Sequence, residues 1–353
     1  MAHRILSIDG GGSRALIPVC LLHRMLEVEN TLLDEVDVIA GTSTSGITAL
    51  IVAHAYNPRD GLDTARRLWI QGAKLFSNSG AEFDLKASLT ELSKPIESPE
   101  VLWDRSKHLL TAPKLRGLSA LTGLCAYFTQ DELKSSLEDI FGDATIGDLQ
   151  RKVLLPSINL GGEDDEQWGP ELIHNLDNSY ASMRLVEAAL RIAAMPILFP
   201  LHHHYADAAM LVNNPALTAV SKMLECHPSQ LRDMRVLSVG TGDNPISLYG
   251  SDQDLGYAGW LMDHKIPLAL MQAAIETNGQ LTDYHCSQIL PARNYHRINP
   301  KLARTWLMHE HRAQFIVEAT DIAEDTPIEM TIEWLRKSGW IASAARSSQS
   351  AAS

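Results

Sequence analysis

Three stretches of this chain carry residue types that could do covalent chemistry. The first, VDVIAGTSTSGITALIVAHA (residues 36–55), sets Ser43, Thr44 and Ser45 between Gly41 and Gly46. A serine attacks an acyl carbon only when its hydroxyl is exposed, aligned and near a base, and a sharp bend from strand to helix supplies the first two conditions. At such an elbow the residues two before and two after the nucleophile press on neighbouring backbone, which is the reason for G-x-S-x-G. Around Ser43, Gly41 meets the first requirement and Ser45 occupies the second position. A frame centred on Ser45 would put Ile47 where a small residue is needed. A helix opening near Thr44 would direct its amino end at Ser43, where backbone N–H groups favour developing negative charge. The competing reading is a capped polar turn, because Ser and Thr are common helix N-caps.

The second stretch is DGGGSRA, Asp9 to Ala15. Gly10, Gly12 and Ala15 satisfy G-x-G-x-x-G/A, in which a dinucleotide pyrophosphate sits at a helix amino end. That fingerprint calls for an acid at the end of the next strand, and here the next strand ends in Ala40 and Gly41. The same glycines could instead turn their N–H groups to an oxyanion, with Arg14 adding positive charge nearby. The third stretch, YADAAMLVNNPA (residues 205–216), carries Asp207 ahead of a turn. A carboxylate there could take a serine proton and return it to a leaving group. Equally, Asp207 could cap a turn while Asn213 and Asn214 satisfy backbone groups.

These residues need elements to hold them. RILSI and VDVIAG are short apolar runs stopped by glycine, the pattern of buried parallel strands, and each is followed by a helical pattern. KVLLPSINL and RVLSVGTG read as further core strands. Helices are expected over Asp63 to Phe76, from a capping box at Thr129 and Glu132 to Gly142, and through SMRLVEAALRIAAMP until Pro196 stops it. The segment SKPIESPEVLWDRSKHLLTAPKLRG reads as a surface loop. Strand, glycine turn and helix in repetition give an α/β fold with a mostly parallel sheet. The chain reads as one unit over residues 1–340, with the motifs in 5–217, a largely helical part over 250–340 and a disordered tail over 341–353.

Apolar residues make up 45% of the 353 and charged ones 21%, which fits a globular core and excludes a disordered chain. The net charge of −13 opposes phosphate backbones, so no nucleic-acid partner is expected. Cys20, Cys125, Cys226 and Cys286 form no CxxC pair, which points away from zinc or a disulfide framework. The short apolar start and the lack of a long apolar run lead to the expectation of a cytoplasmic protein. His202, His203 and His204 are adjacent. On an extended segment neighbours point to opposite faces, so at most two would converge, and surface or packing roles are expected with no metal.

Taken in order, DGGGSRA, GTSTS, ALRIAAMPILFP, DAAMLVNNPA and VLSVGTG resemble the patatin-like phospholipases over most of the first 242 residues. That family's motifs are DGGGxRG, GxSxG and DGG or DGA before an Asn-Pro turn. The resemblance implies Ser43 as nucleophile, Asp207 as its partner in a dyad without histidine, and Gly10, Gly11, Gly12 and Arg14 as the oxyanion motif. Gly41, Ser45, Ala208 and Ala209 would support the elbow and the third motif. It also implies a three-layer α/β fold, a lipid acyl hydrolase of phospholipase A, lysophospholipase or carboxylesterase type working through an acyl-enzyme, and no cofactor. The partner would be a phospholipid or another acyl-ester lipid met at a membrane surface. Ala15, Ser45 and Ala208 stand where the family has glycine. If such a position required positive φ, the replacement would cost on the order of 1 kcal/mol. A lipid-binding or sensing module that has lost turnover, and a dinucleotide-binding enzyme, are the alternatives. A Ser-His-Asp triad would draw on His227, His264, His285 or His296, none of which lies in a comparable turn signature.

Overall fold

A computed structural model describes residues 2–75, 126–161, 167–226, 230–247, 254–261, 266, 268–307 and 313–341. The expected loop over residues 93–117 and the tail beyond Ile341 lie outside the described residues, as do His227 and His264.

Among the described residues the sheet has seven strands: β1 (His3–Ile8), β2 (Val38–Gly41), β3 (Lys152–Asn159), β4 (Gly169–His174), β5 (Tyr205–Asp207), β6 (Met234–Val239) and β7 (Tyr295–Ile298). Their order is β4-β3-β2-β1-β6-β7, with β5 paired to β3. The pairings β3–β2–β1–β6–β7 are parallel, and β4 and β5 run antiparallel to β3. β1 and β2 sit in the middle and are almost wholly buried, as their unbroken apolar runs require. Crossover helices α1 (Leu16–Val28) and α2 (Thr44–His54) return the chain to the sheet after β1 and β2. α2 is buried along nearly its whole length, in keeping with a sequence that is apolar almost all round. Among the described residues no helix is long and apolar enough to cross a membrane.

One edge of β3 explains how distant motifs meet. Lys152 to Leu154 pair with β2, and Ser157 to Asn159 pair with β5, while β4 takes Leu154 to Asn159 on the other edge. β2 therefore stops at Gly41 where β5 arrives with Asp207, opposite Ser157. Residues 41–43 and 207, far apart in sequence, are brought to the same end of the sheet.

Several boundaries differ from expectation for identifiable reasons. Helix α3 spans Pro58–Ile70, beginning five residues before Asp63 because the Asn57 side chain caps it and Pro58 occupies its first turn. Helix α4 (Asp131–Phe141) starts two residues after Thr129 and has no capping box: Gln130 stands at its N-cap and turns its amide to the Leu190 carbonyl at 3.0 Å. Gly142 does end this helix, at φ 54°. Helix α5 (Leu185–Ile192) stops four residues short of Pro196, and the Ala194 carbonyl beyond it accepts the Asp207 N–H at 3.0 Å. Helices α6 (Ala216–Cys226), α7 (Ala269–Ile289), α8 (Ala313–Asp325) and α9 (Glu329–Lys337) follow, and two short helical segments lie at Gly72–Leu75 and Tyr257–Leu261. The C-terminal part also contributes strand β7, which the largely helical expectation lacked.

Candidate active site

Between β2 and α2 the chain turns within two residues, and Ser43 takes the strain. Its φ of 56° and ψ of −131° lie in a region nearly confined to glycine, which costs about 1–3 kcal/mol for a residue with a Cβ. The Thr42 N–H donates to the Ile8 carbonyl at 3.3 Å and its hydroxyl to the Val212 carbonyl at 2.7 Å. The Ser43 carbonyl accepts the Gly46 and Ile47 N–H groups at 2.9 and 3.2 Å. Ser43 is thus held from both sides at the amino end of α2.

The bend requires a close approach of backbone to backbone. A Cβ on Gly41 would lie 2.5 Å from the Ser45 carbonyl oxygen and 2.8 Å from Gly46 N and Cα. One on Gly46 would lie 2.9 Å from the Gly41 oxygen and 2.6 Å from Ile192 Cδ1. The tight contact opposite Gly41 therefore falls on Gly46, one residue beyond the usual motif position. Ser45 has no positive φ, and neither do Ala15 and Ala208, so none of the departures from glycine carries backbone strain.

Ser45 carries a different cost. It is fully buried, and its hydroxyl has no hydrogen-bond partner among the described residues. Such a group destabilises by about 1–3 kcal/mol. Ser45→Ala keeps the Cβ and removes the orphan hydroxyl, so its denaturant midpoint is expected to rise with no loss of turnover. A lower midpoint would show that the hydroxyl is satisfied elsewhere.

The Asp207 carboxyl is fully buried beside the elbow. Oδ1 accepts the Ala209 N–H at 2.8 Å, whereas Oδ2 has no hydrogen bond of ordinary geometry. Burial drives the pKa up to about 7, partly opposed by the nearby Ser43 hydroxyl and by the Ala209 N–H. The Ser43 approach is therefore looser than a formed hydrogen bond. Ala209 fixes the carboxyl, and Ala208 is buried beside it. The Asn214 side chain serves the backbone, its Oδ1 accepting the Ala216 N–H at 3.0 Å at the start of α6, whereas Asn213 accepts the Gly10 N–H at 3.0 Å through its main-chain carbonyl and its buried Oδ1 has no partner among the described residues.

The glycine turn lies against the same elbow, because the Thr44 hydroxyl donates to the Gly12 carbonyl at 3.0 Å. Gly12 has φ 58°, and a Cβ on Gly11 would strike the Thr241 side chain at 2.6 Å. With the Gly10 N–H engaged, the Gly11 and Gly12 N–H groups are those that donate to no other described residue. Arg14 is 1% exposed; Nη2 meets Glu276 Oε1 at 2.6 Å and Nη1 the Gly242 carbonyl at 3.3 Å. Asp9 is held by Arg297 at 2.6 and 3.1 Å, two bonds from one guanidinium. Arg297, Glu276 and Thr241 were not singled out from sequence. Thr241 belongs to the quoted VLSVGTG motif, but Arg297 and Glu276 are isolated charges with no local pattern to reveal them.

An apolar cleft opens beside Ser43, lined by Trp69, Leu75, Leu133, Met195, Leu198 and Phe199. His296 lies two strands beyond β1, bonded to Thr331 at 2.9 Å and stacked on Trp334. His202 to His204 are not extended. His203 and His204 have φ of 50° and 48° and form the turn of a hairpin closed by His202 and Tyr205, so the expected alternation of faces does not apply.

The patatin-like phospholipase family model matches residues 6–220. The chain is 22% identical over 247 residues to Protein teg of Priestia megaterium, covering 70% of this chain and 65% of that protein. It is 26% identical over 295 residues to a cGAMP-activated phospholipase of Vibrio cholerae, covering 76% and 74%. Among solved structures, VipD from Legionella pneumophila aligns with a TM-score of 0.43 at 13% identity, over 95% of this chain and 67% of that one. The chain thus spans about two thirds to three quarters of these proteins. With the family match extending from β1 through the elbow and Asp207 into α6, the chain belongs to the patatin-like phospholipase family.

Proposed function

We propose that the protein hydrolyses fatty acyl esters of lipids, as a phospholipase A, lysophospholipase or carboxylesterase, through Ser43 and Asp207. The observation that carries this reading is the strained Ser43 beside a buried carboxyl whose pKa lies near 7. Such a carboxylate is a far better base than an exposed one, and one of its oxygens has no formed hydrogen bond.

Asp207 takes the Ser43 proton as Oγ bonds to the acyl carbon. The carbonyl electrons move to oxygen, and the Gly11 and Gly12 N–H groups, aided by the amino end of α2, stabilise the oxyanion. The oxyanion collapses, the ester C–O bond breaks, and Asp207 returns the proton to the departing alcohol. Water then gives a proton to Asp207 and attacks the acyl-serine; collapse releases the fatty acid and restores the Ser43 hydroxyl. Arg14, buried and paired with Glu276, positions the glycine turn and is not free to meet a lipid phosphate. The cleft beside Ser43 has a volume of only about 30 Å³, and its apolar lining is of the kind an acyl chain would meet once the walls part. Leu201 and Leu211, 49% and 62% exposed, flank Asp207 in the chain and suit contact with a lipid surface.

Phospholipid vesicles incubated with the protein and read by mass spectrometry are expected to yield free fatty acid and lysolipid. The kcat/KM on a short-chain ester should climb with pH through an inflection near 7, because the base is the ionised form of Asp207. Folded protein that releases no acyl chain from any ester contradicts the reading.

A further inference from the structure

The histidine run makes a cluster outside the catalytic constellation. His202 Nε2 lies 2.7 Å and His203 Nε2 3.6 Å from Glu187 Oε2, and one ligand atom from each of the three residues falls within 4.8 Å of the others. Ligands at about 2.0–2.1 Å around a tetrahedral ion are separated by roughly 3.3 Å, between the two measured distances. The hairpin brings this about: with His203 and His204 both left-handed at a two-residue turn, consecutive imidazoles reach one carboxylate. Side-chain exposures of 29%, 16% and 66% for Glu187, His202 and His203 leave an approach from solvent. Arg191, one turn further along α5, is stacked over the Tyr205 ring at 3.9 Å. Two imidazoles and a carboxylate with room for water form a donor set suited to zinc.

We propose that Glu187, His202 and His203 bind a divalent transition-metal ion of the zinc type, replacing the expected surface role of the histidines. Glu187 lies in the first turn of α5 and His202 just before β5, so the ion would tie together the two ends of segment 187–202. That segment supplies Met195, Leu198 and Phe199 to the cleft beside Ser43 and contains Ile197 at φ 70°, a strained backbone for a β-branched residue. The ion would act as a staple on the cleft wall, taking no part in the chemistry at Ser43.

The test uses full-length, tag-free protein stripped with EDTA and titrated with Zn²⁺ in competition with a chromophoric chelator. One equivalent should bind at micromolar or tighter affinity and raise the unfolding temperature. His203→Ala and Glu187→Gln should each weaken binding by about 10-fold or more. His203 is largely exposed, so its variant is expected to fold normally, and circular dichroism of both variants checks this. Failure to bind, or binding that both folded variants retain at full strength, overturns the site. Because the readout is binding and not turnover, the result is independent of whether Ser43 and Asp207 cleave esters.

Discussion

Asp207→Asn is expected to abolish ester cleavage while making the protein harder to unfold above pH 7. Loss of the base should lower kcat/KM by about 10³-fold or more, the scale of general base catalysis. The stability effect follows from burial, which lifts the carboxyl from 3.8 to about 7 in the folded protein. The folded state therefore favours the protonated acid. Its stabilising contribution is full below the unfolded pKa near 4 and is lost as pH rises through about 7. A shift of this size corresponds to about 4 kcal/mol. Asparagine never ionises, and its oxygen can keep the Ala209 N–H bond. The variant should match the parent near pH 4 and exceed it at pH 8, by less than the full amount because the new amide N–H groups need acceptors. Unfolding midpoints at the two pH values, beside turnover, check both halves. A variant that is less stable than the parent at pH 8 would show that the carboxylate is held by contacts the buried acid does not reveal.

Ser43→Gly carries the second large effect. Removal of the hydroxyl should cost about 10⁴-fold or more in turnover, since no nucleophile then exists for acyl transfer. Glycine also accepts φ 56° and ψ −131° without a Cβ, so the strain of about 1–3 kcal/mol at the elbow is relieved. The offsetting loss is the unfolded-state freedom of glycine, of about 1 kcal/mol. Ser43→Ala provides the comparison: equally inactive, yet still strained. Glycine should therefore be at least as stable as alanine at this position, the reverse of the order in an unstrained helix. If alanine proves clearly more stable, the elbow is not strained in solution. If either variant retains substantial turnover, Ser43 is not the nucleophile.

Both variants bear on the same trade of stability for reactivity, and the sequence revealed that trade unevenly. The central strands were legible because buried parallel strands read as short apolar runs ended by glycine, as in RILSI and VDVIAG. The strand β5 was not: it is three residues long, and its place is set by pairing with Ser157 to Asn159, a contact no local pattern encodes. Ser43, Asp207 and the glycine turn stood out as motifs. Their convergence depended on the shared edge of β3, which only the register makes visible. Gly46 was in plain view but lay outside the five-residue motif frame. The contact at Gly41 shows that the helix needs its small residue there and tolerates Ser45.

The isolated charges were least legible. Arg14, Glu276, Asp9 and Arg297 hold the glycine turn through two ion pairs, each with one buried and one partly buried partner, spanning more than half the chain. Such pairs leave no periodicity, and removing one partner strands a buried charge, which costs about 3–5 kcal/mol. The histidine run was conspicuous, but its turn was not legible: alternation of faces holds for strands and fails at a two-residue turn, although no more than two of the imidazoles meet at Glu187.

In the proposed mechanism Ser43 attacks acyl carbon with Asp207 as its base. Incubation with a fluorophosphonate that mimics the tetrahedral intermediate, followed by digestion and mass spectrometry, tests it most directly. The expected result is a single adduct on Ser43, formed faster as pH rises through about 7 and strongly slowed by Asp207→Asn. Folded protein that remains unlabelled, or a label on any residue other than Ser43, would contradict it.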